Sequence, residues 1–234
     1  RGKRAERKSV RKKDKAARAR SRLEELTFGM FNVRTAAVNG VNSTGHIDTL
    51  LRPCAAKGCD VIGLEETKRD RTSEISASEY RVFFTGSCSI IKGRKGKHGV
   101  GLVIQEEIVK KAGEYGIAIE CISARLLKAR ISITSNFVTF VVAYAPTEEA
   151  PEGQKAKYMV ALNCTVASVP ARGYVLILTD ANARTGKRGE GVGEADSKML
   201  GAYGRSKLTE NRKILLGFAE DNKLALLNIF FCTP

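Results

Sequence analysis

A run of apolar residues, Tyr174-Val-Leu-Ile-Leu-Thr179, stops abruptly at Asp180-Ala-Asn182, and no other feature of the chain restricts its fold as much. Such a run reads as a buried strand, and in open α/β sheets the ends of strands are where reactive polar groups meet solvent. Alternate residues of an extended segment point to the same side, so Asp180 and Asn182 are expected to project together. A carboxylate beside an amide that both donates and accepts suits metal-assisted phosphate chemistry. The same residues also fit a strand running into an Asx-type turn.

With 234 residues, 43% of them hydrophobic, the chain can build one large domain or two small ones around a real core. Its 40 Lys and Arg against 25 Asp and Glu give a net charge of +15 and point to a polyanionic partner, with nucleic acid first. Residues 1–26 hold 12 of the basic and 4 of the acidic side chains. They lack an apolar stripe and are expected to form a flexible basic arm that binds DNA or RNA, directs the chain to the nucleus, or simply links. The remainder, 27–234, reads as one domain and stays basic without the arm. Six cysteines, at 54, 59, 88, 121, 164 and 232, include no Cys-x-x-Cys pair, and only His46 and His98 could supply nitrogen, which argues against zinc. The thiols are expected to be free and buried. With no h-region and no apolar run approaching about eighteen residues, no membrane partner and an intracellular, nuclear or nucleocytoplasmic location are expected.

Strand-like runs occupy Thr27–Arg34, Asp60–Glu66, Arg81–Thr85, Val100–Gln105, Ser123–Thr134, Phe137–Tyr144, Tyr174–Thr179 and Ala225–Phe231. Helical spacing links Ile47, Leu50, Leu51 and Cys54, then Tyr158, Leu162, Val166 and Val169, then Ile214, Leu215 and Phe218. Hairpin-like pairs within 81–105 and 123–144 predict mixed sheets covered by helices rather than a parallel array. Two glycine-rich stretches, 93–101 and 185–193, resemble phosphate loops. In both the required upstream glycine is replaced, by Ile91 and Ala181, and neither Lys97 nor Lys187 precedes a Ser or Thr. They read as basic loops that touch a nucleic-acid backbone or are merely solvated.

Four apolar runs end in groups suited to phosphate chemistry: Asn32-Val-Arg34-Thr, Gly63-Leu-Glu65-Glu66-Thr-Lys68, Tyr144-Ala-Pro-Thr and Asp180-Ala-Asn182. Each has a bland reading as a satisfied amide, a solvated turn, a core ring or an Asx turn. As an ordered set, together with Gly99-Val-Gly-Leu and Asn228-Ile-Phe-Phe, they resemble the endonuclease/exonuclease/phosphatase superfamily. Within it they look most like the endonuclease domains of LINE-type (non-LTR) retrotransposons and the craniofacial development protein 2-like proteins, over about residues 27–232. The resemblance implies a four-layer α/β sandwich of DNase I type, two mixed β-sheets flanked by helices, here lacking the final strands.

It also implies roles. Glu66 matches the metal-binding carboxylate and Asn32 the amide that helps hold metal and phosphate. Tyr144 matches the tyrosine that hydrogen-bonds the scissile phosphate, Asp180 the residue that orients and deprotonates water, and Asn182 the asparagine that steadies the transition state. Glu65 replaces the usual Gln and would sharpen metal binding or face solvent; Thr179 replaces a Gly. Mg2+ or Mn2+ is the implied cofactor, because a hard dication held by one or two carboxylates keeps several waters and neutralises phosphate charge. Arg34, Lys68, Lys95, Lys97, Lys187 and Arg188 are candidate DNA contacts, with RNA a second partner through the arm.

The family pattern continues past Asn-x-Phe-Phe into strands carrying an Asp and a Ser-Asp-His ending, absent before Pro234. The expectation is therefore a DNA endonuclease fragment that leaves a 3′-hydroxyl and is weak or inactive without its histidine, or a degenerate copy. A silent nucleic-acid-binding module and a phosphoinositide or nucleotide phosphatase are the alternatives.

Overall fold

A computed structural model describes residues 26–34, 44–69, 71–86, 98–112, 116–133, 136–171, 173–186, 199–203 and 209–230. Among these, one mixed sheet contains β1 (Phe28–Asn32), β2 (Val61–Glu65), β3 (Ser73–Ala77), β4 (Tyr80–Phe84) and β5 (Val100–Gln105), ordered β1-β2-β5-β4-β3. The second holds β6 (Ile117–Ser123), β7 (Leu126–Ile133), β8 (Asn136–Tyr144) and β9 (Tyr174–Asp180), in sequence order. Each sheet has one parallel pair, β1 with β2 and β8 with β9, and is otherwise antiparallel.

Strand alternation explains the layering. In β2, Val61 faces the second sheet with Val100, Leu102 and Ile104 of β5, against Leu127, Ala129, Phe140, Val142 and Leu178. The intervening Ile62 and Leu64 face outward onto α1 (Thr44–Ala56), where Ile47, Leu51 and Cys54 cover them. On the far face of the second sheet, Leu126, Val141 and Ala143 pack on Tyr158 and Leu162 of α3 (Glu152–Ala167) and Phe218 of α4 (Asn211–Asp221). A short α2 (Glu106–Ala112) closes one end, its acidic first turn and Lys110 and Lys111 in the last turn matching the helix dipole. The result is helix, sheet, sheet, helix: the four layers expected. Side chains such as Ile62, Leu102 and Phe140 are fully shielded, each worth about 1.5–3 kcal/mol of apolar burial. Gly63 lets the sheets close, since a Cβ there would lie 2.8 Å from Leu178 Cβ.

Several expectations need correction. The strand expected over Ala225–Phe231 is not formed at 225–230; a 3-10 turn occupies Leu227–Ile229, and this stretch bonds to the 199–203 segment through Leu226 N to Met199 O and Tyr203 N to Ile229 O, while Phe231 lies outside the described residues. Strands β3 and β6 and helix α2 were not foreseen. The free cysteines are not uniformly buried: Cys54 is, but Cys121 on edge strand β6 and Cys164 on the outer face of α3 are exposed. Cys88 and Cys232 lie outside the described residues, as does the arm apart from Leu26, which packs against the inter-sheet core. Among the described residues no helix is long and apolar enough to cross a membrane.

Candidate active site

Register places the site. The parallel pairing of β1 and β2 sets Asn32 beside Glu65, and that of β8 and β9 sets Tyr144 beside Asp180. The two parallel pairs thus end together, one in each sheet, at a single mouth. The chain leaves these strands through left-handed residues: Arg34, Glu66, Lys68 and Asn182 are four of the six non-glycine residues with positive φ among those described. Such conformations cost on the order of 1 kcal/mol or more each and cluster where geometry is imposed by function. Gly99, at φ 136°, accepts the Thr67 N–H and sits where a Cβ would collide with Thr67 Oγ1, so a glycine is needed to seat the Glu66 turn.

Four of the five residues singled out for chemistry converge. Asn32 Nδ2 donates to Glu66 Oε1 at 2.9 Å and to Asp180 Oδ2 at 3.0 Å, while its Oδ1 accepts the Arg34 N–H at 3.0 Å. That backbone donor fixes the amide orientation. Asn32 therefore meets the carboxylates as a donor, with its oxygen turned away from them rather than offered as a ligand. Tyr144 donates its hydroxyl to Glu66 Oε1 at 3.1 Å, and Lys68 Nζ lies 3.5 Å from Glu66 Oε2. Burial pushes the Glu66 carboxyl up, but Asn32, Tyr144 and Lys68 together hold it below the ordinary glutamate value. It is charged at neutral pH.

Asn182 departs from the expected projection. The strand ends at Asp180, and Asn182 folds back in an Asx turn, its N–H bonded to Asp180 Oδ1 at 3.1 Å and its Nδ2 to Ala145 O at 2.9 Å. The side chain thus ties the β9 turn to the end of β8 instead of lying parallel to Asp180. Asn211, at the start of α4, holds the same loops, its Nδ2 reaching both Pro146 O and Asn182 O at 3.1 Å.

Glu65 does not face solvent. Its side chain is fully buried, aimed between the sheets toward Asp180. Neither oxygen completes a well-formed hydrogen bond, although the backbone amides of Asp180 and Glu65 favour the charged form slightly. Desolvation first, and the Asp180 charge second, push its pKa up to about 9. It is a neutral acid at pH 7. Period-two alternation carried this information: Glu65 follows Val61 and Gly63 onto the inner face.

Of the basic candidates, Arg34 is exposed at the mouth, and Lys68 is engaged with Glu66 rather than free for a phosphate. Lys95, Lys97, Lys187 and Arg188 lie outside the described residues. Two residues with no assigned role stand beside Tyr144. The Arg125 guanidinium lies 5.0 Å over its ring, and His98 has its ring centroid 6.1 Å away, with Nε2 3.1 Å from Arg125 Nη2. A lone arginine at a hairpin turn reads as solvated, so sequence offered no signal for it.

Could this set hold a dication? Among the described residues no three His, Cys, Asp or Glu side chains form a ligand cluster. What converges is one carboxylate pair, Glu66 and Asp180, bridged by an amide. That donor set fits Mg2+ or Mn2+, which bind through one or two carboxylates and retain water, and does not fit a softer metal.

No family model matches the chain. Craniofacial development protein 2 of Bos taurus is 22% identical over 211 residues, 90% of this chain and 32% of that protein. The Tragulus javanicus protein of the same name is 22% identical over 90% of this chain and 33% of its own length. The chain therefore spans about a third of the curated relatives it matches. Among solved structures, the endonuclease domain of TRAS1, a telomere-specific non-LTR retrotransposon, aligns with a TM-score of 0.46 and 12% identity over 82% of this chain and 68% of that one. An endonuclease/exonuclease/phosphatase family protein from Leptotrichia buccalis aligns at 0.46 and 14%, covering 68% and 67%. D. rerio TDP2, complexed with single strand DNA product, aligns at 0.38 and 14%, covering 67% and 60%. The chain is similar to craniofacial development protein 2 in sequence and to the TRAS1 endonuclease domain, TDP2 and an endonuclease/exonuclease/phosphatase family protein in structure.

Proposed function

We propose that the mouth at Asn32, Glu66, Tyr144 and Asp180 is a phosphodiester-hydrolysing site that nicks DNA and leaves a 3′-hydroxyl, in a protein of retrotransposon-endonuclease ancestry. The observation that carries this reading is the Asn32 amide bridging two carboxylates from different sheets under the Tyr144 hydroxyl. Mg2+ or Mn2+ held by Glu66 would supply charge neutralisation at the phosphate oxygens. Asp180, its geometry set by Asn32 and the Asn182 N–H, orients an attacking water and takes its proton as the water oxygen bonds to phosphorus; the bond from phosphorus to O3′ breaks, and the 3′-oxygen takes a proton from solvent. Tyr144 turns its hydroxyl to a non-bridging phosphate oxygen once Glu66 is otherwise engaged. Asn182 spends one amide hydrogen on Ala145 and keeps the other for the phosphate. The net charge of +15 and exposed Arg34 favour a nucleic-acid substrate over a small phosphate ester. This favours a nuclear or nucleocytoplasmic site of action.

A second reading, a silent DNA-binding module, is favoured by the position of His98, whose Nε2 faces Arg125 rather than the carboxylate pair. Incubation with supercoiled plasmid and Mg2+ separates the two. The nuclease reading expects open-circular product, stopped by a chelator, with ends that a polymerase extends directly. Salt-sensitive binding with no nicking would make the module the correct reading.

Tyr144→Phe should lower the nicking rate about a hundredfold, in the range of a lost oxyanion-hole donor. An unchanged rate would remove Tyr144 from the site.

A further inference from the structure

We infer that Arg125 is a positioning residue of this site, fixing Tyr144 and Asn182 through the backbone at the end of β8. The inference rests on the hydrolytic reading but adds a residue to it. Arg125 grips Tyr144 on three sides. Its carbonyl accepts the Tyr144 N–H at 3.0 Å, its Nη1 donates to Tyr144 O at 3.1 Å, and its guanidinium covers the ring face. The same Nη1 donates to Ala145 O at 3.2 Å, the oxygen that also accepts Asn182 Nδ2. One guanidinium therefore fixes the strand that presents the Tyr144 hydroxyl to Glu66 and shares an acceptor with the amide that holds the Asp180 turn.

The choice of partners supports positioning over simple stabilisation. Arg125 is half-buried, and its partners among the described residues are two carbonyls, an imidazole and a ring. Withdrawing a guanidinium from water without a carboxylate partner recovers little net stability. The planar fork does supply fixed directions: one N–H group reaches two carbonyls, the flat face stacks on Tyr144, and Nη2 meets His98. Lysine can reach one carbonyl but cannot reproduce the stacked fork.

The test uses Arg125→Gln, Arg125→Lys and, as a control on the same strand pair, Arg130→Gln, whose guanidinium stacks on Phe137 instead. Single-turnover nicking should show kcat reduced about 30- to 100-fold in Arg125→Gln, with KM for DNA within about threefold. Arg125→Lys should recover part of the loss, and Arg130→Gln should match the wild type. A second readout does not need activity. In protein labelled at the tyrosine ζ-carbon and asparagine amide, the Tyr144 and Asn182 resonances, assigned with Tyr144→Phe and Asn182→Asp, should both shift in folded Arg125→Gln and less in Arg125→Lys. Unmoved resonances in folded Arg125→Gln, or a kcat within threefold of wild type, would overturn the inference. If the wild type itself fails to nick, the hydrolytic reading fails alone, and the resonances decide the role of Arg125.

Discussion

Asp180→Asn should slow nicking by about 10³- to 10⁴-fold while leaving DNA affinity within a few-fold and the fold intact. Loss of a general base sets the size of the first effect. Asp180 has no substitute at the mouth: Glu66 is engaged by Asn32, Tyr144 and Lys68, and Glu65 is buried and protonated. In the variant, an amide would also have to share Asn32 Nδ2 with a donor of its own, so the bridge between β1 and β9 would turn or break. Glu65, held protonated by burial first and by the Asp180 charge second, is eased by the removal of that charge, which partly offsets the loss of the Asn32 and Asn182 hydrogen bonds to the carboxylate. Paired measurements of plasmid nicking and urea unfolding check both halves. Retained activity, or a loss of activity accompanied by unfolding, would contradict the assignment.

Glu65→Gln should raise stability by about 3 kcal/mol at pH 7 in the presence of a chelator, with a gain that depends on pH. In the native state the Glu65 carboxyl is pushed up to about 9 from an ordinary 4.5, so its contribution is fully present below 4.5 and is lost as pH rises toward 9. Across that window the unfolded chain has released a proton that the folded chain keeps, which costs about 1.4 kcal/mol per pH unit. Glutamine has the same shape and no proton to lose. The two unfolding free energies should therefore nearly coincide at pH 4.5 and diverge steadily to pH 9. Parallel stability–pH curves would show that Glu65 is ionised and solvated in the native protein.

The four strand ends were legible because apolar runs stop there at groups that carry polar atoms, Asn32, Glu66, Tyr144 and Asp180. The helices α1, α3 and α4 were legible from apolar spacing, and the hairpins correctly implied mixed sheets. What escaped had weak local signals. Strand β3, Ser73–Ala77, is an edge strand with Glu74 and Ser76 exposed and only a faint alternation of apolar residues. Ala225–Phe231 has the composition of a strand, yet its backbone pairs with the 199–203 segment, and tertiary bonding decided its form. Asn182 was placed by extending the strand period two residues too far, past the turn that its own N–H closes on Asp180. Arg125 shows the limit of reading charges one at a time. Its importance lies in contacts with residues 19 and 20 positions away, which no local pattern encodes.

The edges remain a consequence of this topology. β1 and β9 touch at the edges of their sheets, with Phe28, Met30 and Phe31 each 40–46% exposed and Tyr174 66% exposed. These apolar side chains lie on the strands that deliver Asn32 and Asp180.

The proposed hydrolysis requires Glu66 to hold a dication while Asp180, joined to it through the Asn32 amide, orients water. Crystals of the protein soaked in Mn2+ and measured by anomalous diffraction address it directly. A manganese peak is expected on a Glu66 carboxylate oxygen, and no such peak in Glu66→Ala. A peak bound elsewhere, or none at Glu66 at saturating Mn2+, would contradict it.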